Sequence, residues 1–265
     1  MSEILPENLK GRIKKAAACF TAPVSFIGAV AAVLPHIFRK RGLRLKDTLY
    51  YLDLCGTKSL LTVIMVCALM GLVLGLQGAL QLRKVGTDIF IVDLVGFAVL
   101  KEFGPLMVAV IATGRAGSAF AAEIGTMKVN EEIHALKTLG VSPESFLVLP
   151  KLAAMLIAMP LLTVFGDAAG LLGGMTVGVT FMDIPAAAYI ERTFNVLDEI
   201  TFILGVLKCA VFSILITLAG CYCGFQASGD AQGVGRGATK AVVVSVFLVI
   251  IADALMTLLY SFIGY

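Results

Sequence analysis

The chain has 265 residues, 59% of them apolar and 15% charged, with a mean hydropathy of +0.96. A soluble domain carries about 45–50% apolar and about 25% charged residues, so the composition points away from a soluble enzyme and toward about five to seven membrane helices. The net charge of +3 is too small to argue for nucleic acid, and the alternating strands of an outer-membrane barrel are absent.

Residues 1–15 are polar and basic, and no cleavable signal peptide is expected. Residues 16–34 are apolar but have Lys14 and Lys15 before them and Arg39, Lys40 and Arg41 after. Bases on both flanks fit a helix lying in the cytoplasmic interface better than one that crosses. Residues 1–50 therefore read as an N-terminal cytoplasmic or interfacial segment, and 51–265 as the membrane domain. Spans are expected at about 59–80, 96–121, 146–181, 201–224 and 240–263. The third is longer than one crossing needs and contains Pro160 and Gly166, so it reads as one long kinked helix or as two short ones. Polar loops are expected at 182–199 and, rich in glycine, at 228–237.

Five spans sort the charges well. Sixteen of the 21 basic residues fall on the side of the N-terminus and the 123–140 connection, against Arg83, Lys84, Lys101 and Arg192 on the other. The N-terminus is thus expected in the cytoplasm and the C-terminus outside.

The six cysteines, Cys19, Cys55, Cys67, Cys209, Cys221 and Cys223, form no CxxC and lie mostly in apolar runs. They read as small packing residues, and with two histidines in the chain no metal site or cofactor is expected. Neither Cys55-Gly-Thr-Lys-Ser59 nor Gly233-Val-Gly-Arg-Gly-Ala-Thr-Lys240 is a P-loop. No nucleophile–base set is visible, so the chain reads as a non-enzyme whose energy comes from a partner or an ion gradient.

The most informative stretch is 123–140. Val129, Ile133, Leu136 and Leu139 share one helical face, with Asn130, Glu131, His134, Lys137 and Thr138 largely off it. Gly140 reads as a C-cap, and Ser142-Pro143-Glu144 as the start of the next helix. Such a helix docks into a soluble partner or rests on the membrane surface. Upstream, Gly114-Arg-Ala-Gly-Ser-Ala119 offers small-xxx-small packing pairs. Within the spans, Lys208 and Asp253 lie at matched depths on consecutive antiparallel helices, so a pair between them is expected, and Asp167 near mid-membrane could join it. These charges read as structural glue or as a proton relay.

The run Lys101-Glu-Phe-Gly-Pro105, Thr113-Gly-Arg-Ala-Gly-Ser-Ala119 and Ala122-Glu-Ile-Gly-Thr-Met-Lys128, then Glu131, Glu132, Ala135 and Leu136, strongly resembles the MlaE family. These are permeases of the Mla and Mce lipid transporters that act in outer-membrane lipid asymmetry. Pro150-Lys151, Pro160-Leu-Leu-Thr163 and Gly170-Leu-Leu-Gly-Gly174 look alike too.

The resemblance implies an all-α protein of the bacterial inner membrane. It implies five transmembrane helices, an N-terminal interfacial helix, a cytoplasmic coupling helix at about 123–140, and a homodimer holding phospholipid or similar lipid between its copies. It implies an ABC ATPase gripped through Glu123, Gly125, Lys128, Glu131, Leu136 and Gly140, an MCE-domain partner outside, and often a small STAS-domain protein. A lipid cavity needs polar groups at its headgroup end, for which Gln77, Gln81, Lys101 and Glu102 are candidates. The alternatives are a proton-coupled secondary transporter using Asp167, Lys208 and Asp253, and a membrane scaffold that transports nothing.

Overall fold

A computed structural model describes residues 44–84 and 86–264. The expected interfacial helix at 16–34 lies outside the described residues. Among the described residues the chain is helix and turn throughout, without strands.

Among the described residues five helices are long and apolar enough to cross a membrane: α1 Leu45–Leu82, α2 Asp88–Val129, α4 Glu144–Phe181, α6 Glu199–Phe225 and α7 Ala231–Ile263. Two shorter helices lie at opposite ends of the bundle: α3 Glu132–Thr138 between α2 and α4, and α5 Ala186–Val196 between α4 and α6. The bundle is organised around α4, whose apolar window is 67% buried, against 11% for α7. α4 is continuous through Pro160, so residues 146–181 form one helix.

Glycines decide how closely α4 can be approached. A Cβ at Gly71 of α1 would fall on the carbonyl of Gly170, and one at Gly173 on the carbonyl of Ala68. The two helices run parallel with backbone against backbone, an approach that only small residues allow. Around this seam Val63, Cys67, Val108, Met155, Met159 and Phe212 close the main core.

Several helices are longer than their apolar stretches. α1 begins at Leu45, so the boundary expected at residue 50 falls inside a helix, and its polar start continues through a π-turn at Asp53–Thr57. Only the first three residues of the glycine-rich 228–237 stretch are loop, and from Ala231 onward it is helical, as the start of α7. Asp230 caps it by accepting from the N–H of Gly233 at 2.7 Å, which offsets the poor helix propensity of three glycines. The expected loop at 182–199 contains α5, which is pinned by Tyr189 packing against Gly174 and Gly178.

The 123–140 stretch is two helices rather than one. α2 runs on to Val129, the chain breaks at Glu131 in the left-handed region (φ 60), and α3 follows. Gly140 (φ 74) ends α3. The N–H of Val141 donates to Leu136 at 3.0 Å and that of Gly140 to Lys137 at 3.0 Å, the bond pair of a Schellman cap.

Candidate functional site

Three carboxylates along α2, Asp93, Glu102 and Glu123, each meet a base from a different helix. The middle one lies inside the bundle. There α2 makes a π-turn at Val99–Phe103 followed by Gly104 and Pro105. Pro105 has no N–H to donate, so the preceding turn carries carbonyls without their helical donor. α6 packs straight onto that turn. Gly205 is so close that a Cβ there would meet the Leu100 carbonyl.

Three residues on, Lys208 fills the gap. Its Nζ donates to the Lys101 carbonyl at 3.1 Å, to Asp253 Oδ1 at 2.8 Å and to Thr257 Oγ1 at 2.8 Å, and lies 2.9 Å from Glu102 Oε2. Thr257 in turn bonds Glu102 Oε1 at 2.8 Å. The lysine side chain is 1% exposed, whereas Glu102 is 34% and Asp253 17% exposed. An ammonium withdrawn from water needs this many oxygens. Glu102 instead opens onto a cavity of about 90 Å³ lined also by Lys101, Leu204, Gly205, Thr257 and Tyr260. A wider opening beside it is lined by Asp253, Ala254 and Leu258. Lys101 stands at the rim with its Nζ over the Phe97 ring at 5.2 Å. The site therefore presents both signs of charge at the edge of an apolar face.

The structure brings Lys101, Glu102, Lys208 and Asp253 together. Asp167 does not join them. It is 2% exposed, its Oδ1 occupies the space beside Gly104 where a side chain would stand, and neither of its oxygens has a hydrogen-bond partner among the described residues. Gln77 and Gln81 are also apart, exposed along a shallow depression of about 350 Å³ with Leu74, Leu80 and Leu94. The four polar residues assigned to one headgroup site thus line two separate places.

The residues assigned to coupling divide as well. Gly125 packs on Ala227 and Val234, and Lys128 donates to the Phe225 carbonyl at 2.7 Å, so both tie α2 to the α6–α7 corner. Glu131 and Gly140 are exposed, Leu136 is half-buried, and Ile133 reaches into the main core at 6% exposure. Leu139 stands out at 76% exposure. Glu123 points inward. It accepts from the Tyr51 hydroxyl at 2.5 Å and from Lys151 Nζ at 3.1 Å, with Lys151 at 0% exposure over the rings of Tyr51 and Phe120.

The sequence reading missed this triad because it counted Lys151, at the cytoplasmic end of the third span, only toward the charge balance. A lysine inside the apolar run Val148-Leu-Pro-Lys-Leu-Ala was the available signal. The Asp93–Arg192 fork, at 2.7 and 2.5 Å, was missed because Arg192 was placed in a loop.

Fold and site together define a multi-pass helical membrane protein with a charge cluster set into its bundle, the arrangement of a transport subunit. Residues 48–259 match the profile of the family described as Permease MlaE. A probable ABC transporter permease protein of Rickettsia conorii is 38% identical over 205 residues, covering 77% of this chain and 79% of the relative. One of Synechocystis is 30% identical over 221 residues, 83% and 84% of the two chains. The chloroplastic protein TRIGALACTOSYLDIACYLGLYCEROL 1 of Arabidopsis thaliana is 29% identical over 212 residues, 80% of this chain and 61% of its own. The chain belongs to the MlaE permease family.

Proposed function

We propose that this chain is the membrane subunit of an ATP-driven transporter that moves phospholipid or a similar lipid, working as a homodimer in a bacterial inner membrane. The observation that carries this reading is the Lys101–Glu102–Lys208–Asp253 cluster, open to a cavity at one end of a long apolar face. Both charge signs stand within a few ångströms, which suits a headgroup bearing phosphate and ammonium. The lipid-length wall beneath it is α7, which exposes Val243, Phe247, Ile250, Leu255 and Leu258. A second copy facing α7 would enclose the acyl chains. Neither glycine-rich string of the sequence is a P-loop, and relatives are probable ABC transporter permeases, which supports assigning ATP hydrolysis to a separate ABC ATPase docked at α3 through Glu131, Leu136 and Leu139. An MCE-domain protein outside, with or without a STAS-domain protein inside, completes the assembly.

The test is a pull-down of the tagged chain in mild detergent, with mass spectrometry of proteins and of bound lipid. An ABC ATPase and stoichiometric phospholipid are expected. A folded chain that brings down neither overturns the reading. The proton-coupled alternative is favoured by one feature, the unpartnered Asp167 carboxyl. Asp167→Asn with full transport excludes it, and transport that persists without any ATPase supports it.

A further inference from the structure

We infer that the Tyr51–Glu123–Lys151 triad is a clasp that fixes the attitude of α3, so that these three are positioning residues on which the coupling of ATP turnover to lipid movement depends. The inference rests on the proposal that α3 docks an ATPase.

Three features of the fold carry it. The first is topology. The chain leaves the triad at Glu123, runs out through α3, and returns at Lys151, 28 positions later. The Glu123–Lys151 pair therefore closes the base of the projecting segment, and Tyr51 ties that base to the start of α1 through bonds of 2.5 Å to Glu123 and 2.7 Å to Lys151. Force applied to α3 reaches the bundle at this point as well as through Ile133 and the Lys128–Phe225 bond, and of these contacts only the triad joins both ends of the segment.

The second is the backbone around it. Tyr51 stands just before the π-turn Asp53–Thr57, Lys151 just after the π-turn Glu144–Val148, and Glu123 one to two turns beyond the π-turn Thr113–Gly117. π-turns concentrate at functional sites, where a helix can take up a one-residue shift. A clasp bordered by three such turns is a fixed point among places where the helices can give.

The third is electrostatic asymmetry. Lys151 is 0% exposed and Glu123 38%. If the triad served stability alone, an apolar residue in place of the lysine would do as well, because a buried ion pair is weak evidence for stability. Such a pair does fix one register among several. Here the ammonium accepts only an arrangement in which Glu123 and Tyr51 both face it. Glu123 shares α2 with Glu102, so the attitude of α3 and the geometry of the charge cluster are held on one helix.

The test uses the chain purified with its ATPase and reconstituted into vesicles containing a fluorescent phosphatidylethanolamine, with ATP hydrolysis and lipid transferred both measured. Lys151→Met lowers the melting temperature, but Glu123, 38% exposed, can hydrate, so the variant that folds is expected to keep ATP hydrolysis near wild type. Lipid moved per ATP should fall on the order of tenfold, a usual size for coupling between sites. Tyr51→Phe, which keeps the ring and loses only the hydroxyl, should lower the same ratio by a smaller factor, and it decides the matter should Lys151→Met fail to fold. An unchanged ratio in the folded variants overturns the inference, whether both rates hold or both fall together. If the wild-type chain binds no ATPase, the underlying proposal fails instead, which is a distinct result.

Discussion

Lys208 on α6 and Asp253 on α7 face each other at 2.8 Å, while Glu102 on α2 approaches the same ammonium to 2.9 Å. One cation thus serves two carboxylates, and the two kinds of partner are not equivalent. Lys208→Met leaves Glu102 and Asp253 facing each other across Thr257 with no charge between them. Asp253→Asn leaves Lys208 paired with Glu102. The lysine variant should lose about 3 kcal/mol, the low end for breaking a buried pair, because Glu102 is 34% exposed. The asparagine variant should lose less than half as much. Thermal unfolding in detergent compares them, and Lys208→Met/Asp253→Asn should recover part of the loss. Equal losses from the two single variants would show that the carboxylates do not share the ammonium.

The parallel seam between α1 and α4 gives a second expectation. A Cβ at Gly173 meets the Ala68 backbone carbonyl, which cannot rotate away. Gly173→Ala should therefore force the helices apart at about 1–3 kcal/mol. Gly114 has nothing within 4 Å of its Cβ direction, so Gly114→Ala should be neutral or stabilising by roughly 0.5–1 kcal/mol. Melting temperatures of the two variants should move in opposite directions or, at the least, differ clearly. Equal shifts would argue against the close approach.

Leu139 separates docking from folding. It is 76% exposed, whereas Ile133 on the same short helix is 6% exposed. Leu139→Asp should leave the melting temperature unchanged and weaken capture of the ATPase by about 2 kcal/mol or more, the scale of an apolar anchor at an interface. Ile133→Asp should unfold α3 itself. Binding by titration calorimetry or pull-down, beside melting curves, distinguishes the two. Undiminished capture by Leu139→Asp would place the docking surface elsewhere.

The spans were legible because apolar length is the strongest signal a sequence carries. The Lys208–Asp253 contact was legible because two charges at matched depth in neighbouring antiparallel spans have few other partners. What was not legible came from helices that outrun their apolar stretches. Asp230 starts α7 through glycines that composition assigns to a loop, and α1 and α2 extend past their apolar windows into polar residues. The left-handed Glu131 that splits 123–140 has no signal of its own, since glycine or asparagine would mark such a break and glutamate does not. Lys151 and Arg192 were missed for a related reason. Their partners, Glu123 and Asp93, lie 28 and 99 positions away, and only the packing brings them together.

Arg192 provides the last expectation. Its guanidinium meets Asp93 through two bonds, Nε at 2.7 Å and Nη2 at 2.5 Å, and stacks 4.9 Å from the Phe90 ring. α5 otherwise rests on Tyr189 and Ala188, with Phe194 81% exposed. A lysine offers one point charge in place of a planar fork and does not stack the same way. Arg192→Lys should therefore loosen α5 locally while the spans stay intact. Amides of residues 186–196 should exchange faster by roughly tenfold, the equivalent of about 1.4 kcal/mol, with protection of α4 and α6 unchanged. Asp93→Asn should produce the same local pattern, because it removes the charge while leaving one acceptor oxygen. If exchange in α5 is unaffected by either variant, the fork is not what holds the helix, and the packing of Tyr189 against Gly174 and Gly178, with Ala188 beside it, carries the attachment.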